Sequence, residues 1–247
     1  MEALSFKLSG KTACFKKPDV NVHVYFTYNN IHKPALLGLI GAVIGLDGYT
    51  QLFYKNKRSK STYDGYPEFY EKLHHLKVSI TPLTSSGSFS KKIQVFNNSV
   101  GYASKEVGGN LIVREQWLEN PSWQIMILKD DSESYKKIEK YMLESKAVYI
   151  PYLGKNDHPA QISEVDILKL TDPVHNYIDS LFVKNFSTLD GYEKEDEIPY
   201  VFQEIAPISL QKKYHFYEYA TLIFTNFELK NIPDNTYEYN GKNYSFI

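Results

Sequence analysis

Alternating apolar and polar residues at the start of the chain are typical of a half-buried β-strand. Leu4, Phe6 and Leu8 alternate with polar neighbours, and the pattern predicts a first strand over residues 2–16. Similar alternation or short apolar runs predict strands over residues 76–82, 123–128 and 148–153.

A glycine-rich apolar helix is predicted to begin at Pro34, which suits a first helical turn, and to end near Gly45 to Gly48. Its glycines, Gly38, Gly41 and Gly45, each cost about 1 kcal/mol of helix stability relative to Ala, so we expect them to permit the close approach of another element. A plain buried core helix is an alternative that is compatible with this role. Its N-terminus is also suited to face a phosphate. Two further helices are predicted over residues 67–73 and 132–145.

The order strand, helix, strand, excursion, strand, helix, strand predicts a ferredoxin-like (RRM-like) domain of the α+β class over residues 1–155. The excursion begins near residue 84 and is rich in Ser, Gly, Lys and Asn. A β-rich region is predicted over residues 156–247, from candidate strands at 162–168, 200–205 and 216–224 and a hairpin at 237–246.

Composition indicates a folded protein, since 43% of its 247 residues are hydrophobic, which is enough for a sizeable core. The single cysteine, Cys14, excludes an internal disulfide and a multi-cysteine metal site, and it fits a reducing, cytoplasmic location. The start of the chain lacks a basic leader, and the longest apolar run is shorter than the roughly 20 residues that span a bilayer. We expect no membrane segment.

Charge is distributed unevenly along the chain. Residues 1–120 contain 15 Lys and Arg against 9 Asp and Glu, an excess of six positive charges, whereas residues 121–247 contain 13 against 20, an excess of seven negative charges. The basic half is therefore the candidate surface for a polyanion. Only Arg58 and Arg114 are arginines, so recognition of shape or backbone is expected rather than of base sequence.

Cations and aromatic rings alternate in the excursion, a composition that suits a splayed single strand of RNA. The candidate RNA-binding residues there are Phe89, Lys91, Lys92 and Lys105, followed by Arg114 where the chain returns. Basic side chains elsewhere extend the set: Lys16, Lys17, Lys55, Lys57 and Arg58. The alternatives left open are a mobile surface loop for the excursion, a solvated charge run for the basic clusters, and a core position for Trp117.

Five segments, in this order and spacing, resemble the Cas-five family, the CRISPR-associated RAMP-type subunit of type I Cascade complexes. They are FKLSGKTACFKKPD (6–19), TY (27–28), PALLGLIGAVIGL (34–46), REQWLENPSWQIMI (114–127) and YIPYLGKNDHPAQISEV (149–165). The similarity covers roughly residues 2–170 and is greatest to the type I-B branch.

The resemblance implies that the excursion, at about residues 84–120, is a thumb inserted between the second and third strands of the domain. It also implies a non-catalytic subunit that caps the Cascade backbone and holds the 5′ handle of the crRNA. Its implied partners are the large subunit and a Cas-seven-type filament subunit, with target DNA met only through the complex. Tyr28 and Lys33, beside the glycine-rich helix, complete the candidate RNA-binding residues. No cofactor is implied.

Catalysis is the main alternative, because one branch of this family cleaves precursor crRNA with a metal-independent group of Tyr, Lys and His. General acid–base cleavage needs such groups within hydrogen-bond reach of the reacting oxygens, and Tyr28, His32 and Lys33 are candidates. The adjacent Lys-His pair of that branch is replaced here by Val113-Arg114. We therefore expect no catalytic residues.

Other functional patterns are incomplete. The segment Ser9-Gly10-Lys11-Thr12 imitates a P-loop but lacks its earlier glycine, and His74-His75 lacks the spacing of a metal site. A stand-alone RRM-type RNA-binding module is a third possibility, against which stands the absence of an RNP motif.

Overall fold

A four-stranded antiparallel sheet lies at the centre of the computed structural model, which describes residues 1–18, 23–59, 65–184, 189–190 and 197–247. The strands, in chain order, are β1 (Glu2–Ser9), β2 (Thr12–Ala13), β3 (Val78–Pro82), β4 (Lys91–Asn97), β5 (Ile112–Glu119), β6 (Ser122–Leu128), β7 (Gln161–Lys169), β8 (Phe182–Val183), β9 (Val201–Leu210), β10 (Tyr217–Thr225), β11 (Thr236–Tyr239) and β12 (Lys242–Ser245). The helices are α1 (Lys33–Ile44), α2 (Tyr49–Ser59), α3 (Glu68–Leu73) and α4 (Glu133–Leu143).

The central sheet has the strand order β3-β6-β1-β7, with every neighbouring pair antiparallel. Helix α1 connects β1 to β3, and α4 connects β6 to β7, so two split βαβ units interlock as in ferredoxin-like domains. The predicted α+β, ferredoxin-like class is confirmed.

One predicted strand is absent from the structure, and another is divided into two. Residues 148–153 form no strand, because the amides of Val148 and Tyr149 donate to the carbonyls of Val43 and Ala42 and close the end of α1 instead. The fourth strand of the central sheet is β7, so the domain extends beyond its predicted end at residue 155. The predicted first strand is divided at Gly10 into β1 and β2, which belong to different sheets.

Helix α1 is apolar on all sides and buried on nearly all of them. Its core residues contact Leu4, Phe6 and Leu8 of the sheet within one hydrophobic cluster, which also contains Leu210 and Leu222 of the C-terminal region. A helix that is hydrophobic all round must be covered all round. The strands β8, β10 and β9 form a three-stranded sheet, and α1 contacts β9 of this sheet.

The hairpin β11–β12 packs against the opposite side of the central sheet. Tyr244 and Phe246 join Ala3, Met126 and Leu168 in a second, smaller apolar cluster. The hairpin predicted around Asn240-Gly241 is confirmed, and both turn residues have the positive φ that its two-residue turn requires. Within the described residues, no single helix is long and apolar enough to cross a membrane; α1 and α2 meet that test only together, across a bend of 74°.

The glycines of α1 have different roles. A Cβ built on Gly41 would lie 2.7 Å from Cβ of Phe69 in α3, whereas one on Gly38 would come no closer than 3.8 Å to that ring. Gly45 caps the helix in the left-handed conformation with φ of 77°. Close approach is therefore confirmed at Gly41.

We predict that Gly41→Val lowers the free energy of unfolding by about 1–3 kcal/mol, because the new side chain overpacks the contact with Phe69. Gly38→Ala is the matched control on the same helix, where the added methyl has room and helix propensity improves by up to about 1 kcal/mol. Urea unfolding of both variants measures the difference. Equal stability of Gly41→Val and the parent would show that α3 is not packed closely there.

Candidate nucleic-acid interface

A two-stranded hairpin, formed by β4 and β5 and here called the thumb hairpin, is inserted between strands β3 and β6 of the central sheet. The two strands pair antiparallel from Lys91 opposite Leu118 to Asn97 opposite Ile112. The chain turns from β5 into β6 at Asn120, whose φ is 47°, followed by Pro121. The thumb hairpin therefore belongs to a separate small sheet, whose third strand is β2.

One face of the thumb hairpin packs on a buried polar cluster. Glu115 is only 5% exposed, and its carboxylate accepts hydrogen bonds from Lys155 Nζ at 2.7 and 2.9 Å and from Trp117 Nε1 at 3.0 Å. The fully buried ring of His158 meets the Trp117 ring edge-on at 4.6 Å, and its Nδ1 lies 2.7 Å from Thr12 Oγ1. These contacts fix the orientation of the thumb hairpin.

The opposite face of the thumb hairpin is open to solvent. Ile93, Val95 and Ile112 are each about half exposed, and Arg114 lies directly opposite Val95 in the strand register. Lys105 is exposed in a short 3-10 helix near the tip. Neither Arg114 nor Lys105 has an ion-pair partner within the described residues. This face combines free cations with apolar surface.

Several predicted lysines near the thumb hairpin already have partners. Lys16 Nζ lies 3.4 Å from the centre of the Tyr25 ring, and Lys92 Nζ lies 3.7 Å from Glu119. Lys17 pairs with Glu204 of β9 at 3.2 Å. Lys91 is also near Glu204: burial lowers the pKa of Lys91, while the Glu204 carboxylate acts in the opposite direction.

Phe89 and Lys33 are not placed to contact RNA. Phe89 is 8% exposed, and its ring meets that of Trp123 edge-on at 5.1 Å, so little of the ring is open for a base to stack on. Lys33 donates to the carbonyl oxygen of Ile247 at 3.1 Å, and burial lowers the pKa of Lys33 to about 8. Phe89 is therefore a core residue and not part of a mobile surface loop, whereas Trp117 is partly exposed and donates to Glu115.

The basic cluster beyond the glycine-rich helix lies on α2. Lys55, Lys57 and Arg58 are all exposed on this helix, and Lys55 lines a cleft together with Asp47 and Glu68. The structure therefore brings Lys16, Lys17, Lys91, Lys92, Lys105 and Arg114 to the thumb hairpin and its base, and sets the α2 cluster on a different element. Residues 60–64, which include Lys60, lie outside the described residues.

Tyr28 and His32 are buried beside the N-terminus of α1. Tyr28 is 2% exposed, and its ring meets that of His32 at 5.2 Å. His32 is the N-cap of α1, where its Nδ1 accepts from the amide of Ala35 at 3.3 Å. Burial lowers the pKa of His32 to about 3. The imidazole is thus neutral and occupied in capping the helix.

Glu204 and Tyr219 belong to this surface but were not identified from the sequence. They line a cleft of about 740 Å³ with Lys17, Pro18, Tyr28, Gln203 and Ile205. The cleft separates the turn after β2 from the C-terminal sheet. No local sequence pattern marks these two residues as part of a cleft. The cleft forms only where residues about 190 positions apart in sequence come together. Among the described residues, no three His, Cys, Asp or Glu side chains form a group that could hold a metal ion.

Comparison with known proteins gives structural likeness only. No protein-family model matches the chain, and no curated protein matches it. A solved structure described as a CRISPR RNA-guided surveillance complex contains a chain that is similar over 92% of this chain and 91% of its own, with a TM-score of 0.55 and 10% identity. At that identity the likeness shows a shared fold. A CRISPR protein from Archaeoglobus fulgidus aligns over 99% of this chain and 98% of its own at 10% identity, with a TM-score of 0.48 that is too low to support an argument.

We predict that replacing both Arg114 and Lys105 by Ala weakens the binding of single-stranded RNA without lowering thermal stability, because neither side chain supports the fold. Loss of each phosphate contact should flatten the slope of log affinity against log salt by about 0.7. Fluorescence anisotropy across a salt series measures both effects. Lys242→Ala, on the exposed terminal hairpin, is the control that removes a charge elsewhere. An equal loss of affinity in this control would show that only net charge matters.

We predict that His32 makes stability depend on pH. Its pKa falls from 6.5 in the unfolded chain to about 3 in the folded protein, so the unfolded chain binds a proton that the folded protein excludes. Stability is therefore present above pH 6.5 and is lost as the pH falls toward 3, by up to about 1.4 kcal/mol per pH unit. His32→Asn retains a capping side chain and should flatten this dependence in urea unfolding. Parallel pH profiles for the two proteins would contradict this.

Proposed function

We propose that this protein is a non-catalytic crRNA-binding subunit of a type I CRISPR Cascade complex, of the Cas-five family and its I-B branch. The observation that carries the proposal is the whole-chain fold likeness to a chain of a CRISPR RNA-guided surveillance complex, with a TM-score of 0.55 over more than nine-tenths of both chains. The five segments that resemble the Cas-five family support the narrower assignment. The likeness extends through the C-terminal region, which the sequence resemblance did not cover.

The thumb hairpin is the proposed RNA-contacting element. Its open face carries Arg114, Lys105 lies near its tip, and Lys16 and Lys91 lie at its base. Lysine and arginine contacts to phosphates give affinity with little base selectivity. The buried Glu115 network on the other face holds the hairpin in one orientation, so that its cations face a bound strand without a large ordering cost.

The partners follow from the same proposal. The subunit caps the Cascade backbone in the cytoplasm, holds the 5′ handle of the crRNA, and contacts the large subunit and a Cas-seven-type filament subunit. The half-exposed Ile93, Val95 and Ile112 of the thumb hairpin support a contact with a neighbouring subunit, because exposed apolar groups on a rigid hairpin favour association. Target DNA reaches this subunit only through the assembled complex.

The geometry around Tyr28 supports a non-catalytic role over the endoribonuclease alternative. General acid–base catalysis at neutral pH requires a group whose pKa lies near the working pH and which reaches the substrate. The pKa of His32 is lowered to about 3, the ring is 3% exposed, and Nδ1 is engaged at the helix cap. Lys33, whose pKa burial lowers to about 8, meets the pKa requirement, but its Nζ donates to the Ile247 carbonyl oxygen at 3.1 Å.

We predict that the purified protein binds a repeat-containing transcript and leaves it intact in EDTA. A gel shift measures binding, and a denaturing gel of the same samples measures cleavage. Binding without cuts is the expected result, and absence of binding would contradict the proposed function. Cuts at one boundary that disappear in both Tyr28→Phe and His32→Ala would instead establish the endoribonuclease alternative.

A further inference from the structure

Lys17 and Glu204 form an ion pair in the cleft between the segment after β2 and the C-terminal sheet. The Glu204 carboxylate lies 3.2 Å from Lys17 Nζ, and the amide of Asn29 donates to both carboxylate oxygens at 3.1 and 3.0 Å. The side chains of Lys17 and Glu204 are 30% and 11% exposed. Glu204 is thus held by a cation and a backbone donor in a largely covered position.

Lys91 belongs to the same charge group. Burial is the main cause that lowers the pKa of Lys91, the positive charge of Lys17 lowers it further, and the Glu204 carboxylate raises it. The three side chains therefore lie close enough to act on one another electrostatically. The group contains two positive charges and one negative charge.

The groups that contact the Glu204 carboxylate are of the kinds that bind a phosphate. Ammonium groups and backbone N–H groups are the usual donors to phosphate oxygens, and a carboxylate offers the same kind of charged oxygen acceptors. The adjoining cleft of about 740 Å³ is open enough for a nucleotide, and Tyr219 and Ile205 on its wall are 45% and 63% exposed. A sugar and base attached to that phosphate would find apolar surface beside it.

We propose that Lys17 and the Asn29 amide form a binding site for one RNA phosphate, which the Glu204 carboxylate occupies in the free protein and vacates when RNA binds. This inference rests on the proposed function and deepens it. It assigns one contact with the RNA backbone to a site that the N-terminal and C-terminal regions form together. Glu204 acts as an internal competitor for RNA. It restrains affinity, and an incoming strand must displace it.

The test is Glu204→Gln, which removes the charge but retains a side-chain oxygen for the Asn29 amide. Binding of a fluorescein-labelled single-stranded RNA should become about two- to fivefold tighter, the range expected for release of one partly exposed ion pair. The slope of log affinity against log salt should steepen by about 0.7, the value for one added phosphate contact. Thermal melting verifies that the variant is folded.

The matched control is Glu164→Gln, which removes the same charge from an ion pair with Lys7 at 3.2 Å on the central sheet. An equal gain in this control would show that net charge alone is responsible and would overturn the proposal. Lys17→Ala introduced into Glu204→Gln should abolish the gain. A gain that survives this second change would also overturn it.

Two further outcomes separate the possible failures. Wild-type protein that binds no RNA refutes the proposed function, whereas wild-type binding with unchanged affinity in Glu204→Gln refutes only the phosphate site. A single-stranded DNA of the same sequence should show the same gain, because a phosphate site does not sense the 2′-hydroxyl. A gain limited to RNA would assign Glu204 to a sugar or base contact instead. If Glu204→Gln melts lower and binds more weakly, Glu204 is a structural anchor of the C-terminal sheet.

Discussion

The burial of α1 is the constraint on which the rest of the structure depends. This helix is apolar on every side, so one sheet cannot satisfy it. The central sheet, α3 at Gly41 and β9 of the C-terminal region all pack against it. The C-terminal region is therefore needed to complete the core of the ferredoxin-like domain. Removing it would expose the helix that holds both βαβ units together.

This packing also creates the candidate RNA surface. Because β9 must lie against α1, its residues come next to the turn after β2 and the base of the thumb hairpin. Glu204 reaches Lys17 and the Asn29 amide for this reason. The cleft is thus a consequence of core formation, and the two regions of the chain with opposite charge excess meet there. A polyanion that binds at this junction competes with the protein's own acidic side chains.

Sequence patterns predicted the elements whose period was clear and missed those set by distant contacts. The alternation of Leu4, Phe6 and Leu8 and the bounds of α1 are local signals, and both agree with the structure. The apolar run at 148–153 resembles a strand equally well, but the open carbonyls at the end of α1 use its amides. No local pattern reveals that competition. The pattern at 162–168 predicts the strand β7 but does not predict its place in the central sheet.

The candidate site shows the same limit for side chains. Composition identified the basic excursion, and Arg114 and Lys105 do lie on an exposed face. Phe89 has the spacing of a stacking residue, yet Trp123 covers its ring. Lys17 counts toward the positive excess of residues 1–120, but Glu204 of the C-terminal region pairs with it in the fold. The charge excess of residues 1–120 therefore overstates the field that a bound strand experiences.

The cations without such partners carry the greater share of that field. An ammonium group already paired with a carboxylate releases few counterions when a phosphate arrives, because the pair is nearly neutral before binding. Arg114 and Lys105 face solvent without an ion-pair partner in the described part of the chain. First encounter with RNA is then expected at the tip and open face of the thumb hairpin. Under the proposed function, contacts at its base would form afterwards, once the strand lies near enough to displace the Glu204 carboxylate.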